Sequence, residues 1–184
     1  MDEQIDGLEV SSDERMRLSA GCLDMALEHQ KAIVLLVANK LYGSAFSLAR
    51  LIFEAYVRGV WLQLCASESE IEKYKNDKLE KYFSTLIQEI ENCDGFEEGI
   101  LSAAKTENWI AMNSFTHSGY LQAVRRNKEE TIEPNYNDEE IIELLNVANA
   151  LGMLSALQLA LLAGKKELAN EMLKKSKIMF QNTP

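Results

Sequence analysis

The amino-acid sequence predicts an all-α protein, a single bundle of about five to seven helices. Two observations on composition and pattern lead to this fold class. Only 2 prolines and 9 glycines interrupt 184 residues, so long helices can form without a break. Apolar residues also recur at helical spacing along most of the chain. No repeat, low-complexity tract or linker divides the sequence, so residues 1–184 are expected to form one domain with an internal loop at 127–137.

The first helix is expected to begin near Asp13, because Ser11 and Glu14 fit a capping box. It should run to about Asn39, and its second half is apolar enough to be buried on most sides. The break that follows, at 41–43, is short, and short connections join antiparallel neighbours. The second helix should therefore pack back along the first.

The second helix, predicted over 44–65, carries the most unusual pattern in the chain. Within a mostly apolar stretch, Arg50, Glu54 and Arg58 recur at every fourth position, so a helix stacks them on one face. Charged side chains are seldom fully buried unless they are paired, and such a row needs water, a partner or a ligand. Two interpretations stay open: a binding site, or a polar network in which Glu54 pairs with a neighbouring arginine.

Shorter helices are expected in the middle of the chain. Ser67 and Glu70 form a capping box that opens a charged segment. Further helices are predicted over 79–91, 96–106, 108–115 and, after an interruption at 116–119, over 120–126. The helix at 79–91 should bury one apolar face, formed by Tyr82, Phe83, Leu86, Ile87 and Ile90.

The last long helix is expected to begin after Asn137, which pairs with Glu140 as a capping box, and to reach about Ala163. From residue 144 to residue 163 it contains no charged residue. Its length would permit a membrane span, but polar residues interrupt it. A central helix buried by its neighbours, or the seam of a dimer, is the better interpretation. A final amphipathic helix is predicted over 165–180.

Composition narrows the classes of function. The net charge is -10, with 29 acidic and 19 basic residues, which disfavours binding to nucleic acid or anionic lipid over a wide surface but allows a local basic pocket. The acidic N-terminus lacks the order of a secretion signal. Cys22, Cys65 and Cys93 are far apart in sequence and are expected to be buried, reduced thiols in a cytoplasmic protein.

The common catalytic and metal-binding motifs are missing from the sequence, so no metal or cofactor is expected. One polar stretch remains, from Asn113 through Thr116 and His117 to Arg125 and Arg126. Histidine can act as a general acid or base, and guanidinium groups bind phosphate bidentately. The structural alternative is that this stretch only bridges helices. In either case we predict that it faces the charged row of the second helix.

Several segments carry a resemblance to known proteins, namely LARLIFEAYVRGVWL at 48–62, WIAMNSFTHSG at 109–119, LQAVRR at 121–126 and EPNYNDEEI at 133–141. From about residue 41 to residue 163 the chain resembles an uncharacterised family of bacterial all-helical proteins. More distantly, it is similar to the HEPN superfamily (higher-eukaryote and prokaryote nucleotide-binding). HEPN domains are helical bundles, often dimeric, and many are metal-independent ribonucleases of toxin–antitoxin and phage-defence systems.

The HEPN signature is an arginine, commonly beside a polar residue, followed a short distance later by a histidine. Asn113 and His117 match the polar residue and the histidine. The arginine would fall on Ile110, Ala111 or Met112, so this sequence departs from the signature there. Arg125, or Arg50 from the second helix, would have to replace it in space.

Two functions follow as expectations. The first is an HEPN-like module that binds a nucleotide or RNA phosphate and, if it is an enzyme, acts as a metal-independent ribonuclease with His117 as its catalytic residue. Its ligand-binding residues would be Arg50, Glu54, Arg58, Asn113, Thr116, Arg125 and Arg126. The alternative is a non-enzymatic homodimeric protein-interaction module whose interface would be formed by the charged row and the charge-free helix. Self-association as a homodimer is expected in both, with no membrane association.

Overall fold

A computed structural model describes residue 5 and residues 7–181, and it confirms the all-α fold class. Its described part contains eight helices and one short hairpin. The helices are α1 (Glu14–Ala38), α2 (Tyr42–Leu64), α3 (Glu68–Lys75), α4 (Phe83–Glu91), α5 (Ile100–Thr116), α6 (Tyr120–Val124), α7 (Asp138–Leu162) and α8 (Lys166–Gln181). The hairpin pairs β1 (Asn127–Lys128) with β2 (Thr131–Ile132) inside the predicted loop. The loop at 127–137 is thus partly ordered by backbone pairing.

α1 and α2 form the antiparallel pair around which the bundle is built. α1 begins where predicted, but its N-cap is Asp13, whose carboxylate accepts from the Met16 backbone N–H at 3.1 Å. Ser11 does not cap the helix; its hydroxyl oxygen accepts from the Asp13 N–H at 3.2 Å instead. An aspartate directly before the first turn meets the exposed N–H groups better than a residue two positions earlier. The break between α1 and α2 lies at residues 39–41, whereas the sequence predicted it at 41–43.

α1 and α2 lie close together at Gly59. The Ser19 hydroxyl of α1 donates to the Gly59 carbonyl at 2.8 Å, and both residues are buried. A Cβ atom built at Gly59 would lie 2.7 Å from Cγ of Leu23. The missing side chain is therefore what allows α1 to reach the backbone of α2 at this point.

Arg15 of α1 binds backbone carbonyls at the C-terminal end of α2. Its guanidinium donates to the carbonyls of Leu62, at 3.2 Å, and of Ala66, and it forms an ion pair with Glu68. The last carbonyls of a helix have no partner within that helix, and they are satisfied here by a side chain from its neighbour.

α3 and α4 are held against α2 by a cluster of charges centred on Lys81. The capping box predicted for Ser67 and Glu70 is confirmed. Lys81 forms ion pairs with Glu70 and with Glu89, the latter at 2.7 Å. Glu89 in turn accepts from the indole N–H of Trp61 at 2.6 Å. This network holds the side chain of Trp61, which is buried in the core.

The Lys81 cluster predicts a pH dependence of stability. Burial alone would raise the pKa of Glu70, but hydrogen bonds from Lys81 and Ser67 outweigh it and lower that pKa to about 2. Because the folded pKa lies below the unfolded one, the stabilisation is complete above about pH 5 and is lost as the pH falls toward 2. We expect the free energy of unfolding to fall by roughly 1–2 kcal/mol across this window, a value reduced for the partial exposure of the group.

Urea unfolding at a series of pH values measures this effect, with Glu70→Gln as the comparison. The variant removes the titrating carboxylate, so its stability should change less steeply over the same window. Equal slopes in the two proteins would contradict the assignment to Glu70.

α4 is shorter than the helix predicted at 79–91. Leu86, Ile87 and Ile90 are buried as expected, but the side chain of Tyr82 is 84% exposed. Tyr82 is the N-cap residue and has an extended backbone, with φ -63° and ψ 141°. Since it lies outside the helical repeat, its side chain does not follow the apolar face, and the prediction of its burial is wrong.

α5 replaces the two helices predicted over 96–106 and 108–115. Nothing between them breaks the helix, which runs as one element from Ile100 to Thr116. Its first turn is capped from outside, because the Glu91 carboxylate accepts from the Ser102 N–H at 2.8 Å and from its hydroxyl at 2.5 Å. The interruption predicted at 116–119 is confirmed: Ser118 has a left-handed backbone (φ 54°) and Gly119 is the N-cap of α6.

The charge-free stretch lies in α7, which packs against α1, α2 and α8. Its predicted capping box of Asn137 and Glu140 is confirmed. Among the described helices it alone is long and apolar enough to cross a membrane by length and composition, but half of its most apolar window is buried in the bundle. Asn149, one of the polar residues in this stretch, accepts from Gln30 of α1 at 2.9 Å. Asn149 is thus a polar residue of the charge-free stretch that joins two helices by a hydrogen bond.

Candidate functional site

Arg50 of α2 and two side chains of α5 form a compact polar cluster. One guanidinium nitrogen, Nη1, lies 2.6 Å from Oδ1 of Asn113 and 2.7 Å from Nε2 of His117. On the other side, Nε donates to Glu54 at 2.7 Å, an i,i+4 pair within α2. Asn113 and His117 are also four residues apart and share one face of α5. The prediction that the two polar stretches face each other is confirmed for these four residues.

The hydrogen bond between Arg50 and His117 depends on the tautomer of the imidazole. A guanidinium group can only donate, so the bond requires Nε2 of His117 as acceptor, in the tautomer that carries its proton on Nδ1. A protonated imidazole has two donors and no acceptor, and it would lose this bond. The side chains of Arg50 and Glu54 are each 20% exposed, whereas His117 is exposed. The cluster therefore lies at the rim of the bundle, within reach of solvent.

The indole ring of Trp109 packs against the guanidinium group of Arg50. Cζ of Arg50 lies 4.7 Å from the centroid of the indole ring, and Nζ of Lys105 lies 5.1 Å from it. Phe83 of α4 stacks on the same indole at 5.1 Å with an interplanar angle of 13°. Trp109 is half-buried, and its π system lies next to two cations.

Ser47, Thr116 and Gln122 connect the helices beside this cluster. The Ser47 hydroxyl oxygen lies 2.8 Å from the Phe115 carbonyl and accepts from Gln122 at 2.7 Å. The Thr116 hydroxyl donates to the Ser47 carbonyl at 3.2 Å. Thr116 is thus used to join α2 and α5, which fixes the position of Asn113 and His117 relative to Arg50.

Arg58 does not join the cluster. Two turns of helix, about 12 Å, separate it from Arg50, and its charge acts on Cys22 and Tyr74 instead. Burial raises the pKa of the Cys22 thiol, against the opposing effects of the Tyr74 hydroxyl and of Arg58. The row predicted from the sequence is therefore split, because Glu54 pairs with Arg50 while Arg58 faces α1 and α3.

Arg125 and Arg126 lie on a separate flank. Arg125 forms an ion pair with Glu140, the capping residue of α7, and its Cζ lies 5.8 Å from the ring centroid of Tyr136. Arg126 is exposed. Burial raises the pKa of Tyr136, whose hydroxyl has no hydrogen-bond partner among the described residues. Arg125 thus contacts the loop and the start of α7. Arg50 is the arginine that lies within hydrogen-bond distance of His117.

The fold and the site together define an all-α bundle with an arginine–histidine cluster between two of its helices. The chain belongs to a family of unknown function, DUF6988, whose model matches residues 23–182. This confirms the resemblance to an uncharacterised family, and the matched part includes the whole cluster. No curated protein and no solved structure matches the chain. Within the described residues, no group of three or more histidine, cysteine, aspartate and glutamate side chains is placed to hold a metal ion.

Proposed function

We propose that the protein is an HEPN-like helical module that binds a nucleotide or RNA phosphate at the cluster of Arg50, Asn113 and His117. The observation that carries the proposal is the way Arg50 is held. A guanidinium group has five N–H donors, and three of them are used by Glu54, Asn113 and His117. Nη2 has no partner among the described residues, so two N–H donors of this partly exposed cation remain for an anion.

Arg50 is already paired with a carboxylate of the protein, but this pair does not use all of its donors. Glu54, the carboxylate bound to Arg50, occupies Nε and leaves the Nη2 edge free. An oxyanion at this edge would lie beside His117, which on protonation changes from an acceptor to a second donor. Packing of the guanidinium on Trp109 reduces the conformational freedom lost on binding. These features suit a small phosphate site within an otherwise acidic protein.

The distant sequence resemblance to the HEPN superfamily agrees with a phosphate site at this cluster. In the sequence of α5 the arginine of the HEPN signature is missing, but Arg50 brings a guanidinium to the matching asparagine and histidine from another helix. If the module cleaves RNA, the 2′-hydroxyl would replace Arg50 as the hydrogen-bond donor to Nε2 of His117, which would take its proton as the 2′-oxygen attacks phosphorus. Arg50 would stabilise the phosphate as it gains charge, and the 5′-oxygen of the next nucleotide would leave with a proton from water, so that a cyclic phosphate end remains. Cytoplasmic location and a defence role in bacteria stay predictions of this proposal.

Arg50→Ala is expected to weaken the binding of short single-stranded RNA by tenfold or more. The variant removes the fixed cation, and one lost charge-assisted contact corresponds to about 1.5–3 kcal/mol. Arg50→Lys should have an intermediate effect, because it keeps the charge but loses the planar fork. Fluorescence anisotropy with labelled oligonucleotides measures the affinity, and circular dichroism verifies that each variant is folded.

Arg17→Ala is the matched control, since Arg17 is an exposed arginine near the start of α1 and its removal changes the net charge equally. Its affinity should stay within about twofold of the natural protein, as expected for a charge remote from the site. Equal losses of RNA affinity in both variants would mean that RNA responds only to the overall charge of the protein. An unchanged affinity in Arg50→Ala would refute the site. The ribonuclease version requires more: cleavage of RNA by the natural protein that persists in His117→Ala would rule it out.

The alternative function, a homodimeric interaction module, is favoured by a different observation. The outward side of α7 exposes apolar side chains, with Ile142 at 56%, Val147 at 37% and Leu161 at 40% exposure. We expect the natural protein to be a dimer by light scattering and Val147→Glu to shift it toward monomer, because a buried charge opposes association. Ile132→Glu, at an apolar residue of the hairpin with 79% exposure, is the control that should stay dimeric. A monomer at high concentration would refute this alternative.

A further inference from the structure

Two of the three cysteines, far apart in sequence, meet where α2 ends and where the turn after α4 begins. The sulfur atoms of Cys65 and Cys93 lie 3.6 Å apart. Both side chains are half-buried, whereas Cys22 is buried elsewhere and bonded to Tyr74 at 3.3 Å. A disulfide needs a sulfur–sulfur distance of about 2.05 Å. The two sulfur atoms therefore lie about 1.5 Å farther apart than in a disulfide bond.

We propose that Cys65 and Cys93 form a reversible dithiol–disulfide site, oxidised by a low-molecular-weight disulfide such as oxidised glutathione. In the first step, the Cys93 thiolate attacks one sulfur of the oxidant and releases one glutathione thiolate. In the second, Cys65 gives its proton to solvent and attacks the Cys93 sulfur of the mixed disulfide, releasing the second glutathione thiolate. Two protein thiols are oxidised, and one disulfide is reduced to two thiols.

The surroundings of the two thiols set this order. Burial, together with the adjacent Cys93 and Glu89, raises the pKa of the Cys65 thiol to about 12. Cys65 is therefore a poor first nucleophile at neutral pH, because the thiolate is the reactive form. Cys93 lies just beyond α4, in a turn between exposed neighbours, where an oxidant can approach. Once Cys93 carries a mixed disulfide, the short distance to Cys65 favours closure of the protein disulfide.

The bond would close a loop from Cys65 to Cys93 that contains α3 and α4. It would tie the end of α2 to the helix whose Phe83 stacks on Trp109 beneath Arg50. Closing a loop of this length restricts the unfolded chain and should raise the melting temperature by about 5 °C or more. The inference does not depend on the phosphate-binding proposal, since it needs only the two sulfur atoms.

The experiment incubates the full-length protein with oxidised or reduced glutathione under native conditions, followed by mass spectrometry without reduction and by thermal melting. The natural protein and the control Cys22→Ser should each lose two thiols to one internal disulfide, which dithiothreitol reverses. Cys65→Ser should stop as a glutathione adduct on Cys93, and Cys93→Ser should leave Cys65 unmodified. Natural protein that keeps three free thiols, forms a disulfide through Cys22, or melts at a lower temperature when oxidised would overturn the proposal.

Discussion

Replacement of Trp61 by alanine is expected to lower the free energy of unfolding by about 3–5 kcal/mol. The side chain has no exposed surface, so its removal leaves a large cavity in the core between α2 and α4. It also removes the indole N–H that donates to Glu89 at 2.6 Å, and it takes away the ring that Nζ of Lys81 approaches to 4.9 Å. The partly buried Glu89 then keeps Lys81 but loses one donor, which adds to the cost of the cavity.

Urea unfolding followed by circular dichroism measures this loss. The matched control is Tyr82→Ala, which truncates another aromatic side chain near α4 that is 84% exposed. It should change stability by no more than about 0.5 kcal/mol, as for other exposed positions. Similar losses in the two variants would contradict the burial of Trp61, and so would a loss below about 1 kcal/mol in Trp61→Ala.

A single added methyl group at Gly59 is expected to destabilise the protein by about 1–3 kcal/mol. The new Cβ would lie 2.7 Å from Cγ and 2.9 Å from Cδ2 of Leu23, and 3.2 Å from the backbone oxygen of Ser19. Leu23 has no exposed surface and cannot turn away. The backbone oxygen of Ser19 can move only if α1 moves, so α1 and α2 would have to move apart at this point.

Gly21→Ala provides the opposite result on α1. A Cβ at Gly21 meets no atom within 4 Å, so the substitution gains helix propensity without a clash. It should stabilise the protein by about 0.5–1 kcal/mol. Thermal or urea unfolding of both variants tests the pair together. If Gly59→Ala were as stable as Gly21→Ala, the close approach of α1 and α2 would be refuted.

The parts of the fold that depend on local chemistry could be predicted from the sequence. The capping boxes of Ser67 with Glu70 and of Asn137 with Glu140 involve neighbouring residues, so their patterns are visible in one dimension. The external caps could not be found in this way. Arg15 satisfies carbonyls at the end of α2, and Glu91 caps α5 across a turn, and both contacts depend on how the helices pack.

The site was predictable in its pairing but not in its membership. Arg50 with Glu54, and Asn113 with His117, each lie four residues apart, so helical spacing alone brings each pair onto one face. The same spacing also included Arg58, which the packing of α1 and α3 places elsewhere. The roles of Trp109 and Lys105 could not be inferred, because they depend on the depth at which α5 lies beside α2.

The two helices that hold the cluster differ greatly in how firmly they are anchored. α2 has ten buried residues, whereas α5 has only two, Leu101 and Met112. Segments with few buried contacts open by local unfolding long before the whole domain does. Local unfolding of α5, which breaks its link to Ser47, is therefore expected to separate Asn113 and His117 from Arg50 at a lower free-energy cost than unfolding of the core. A ligand that bridges Arg50 and His117 would bind a fraction of molecules already closed, so its apparent affinity would depend on the docking equilibrium of α5.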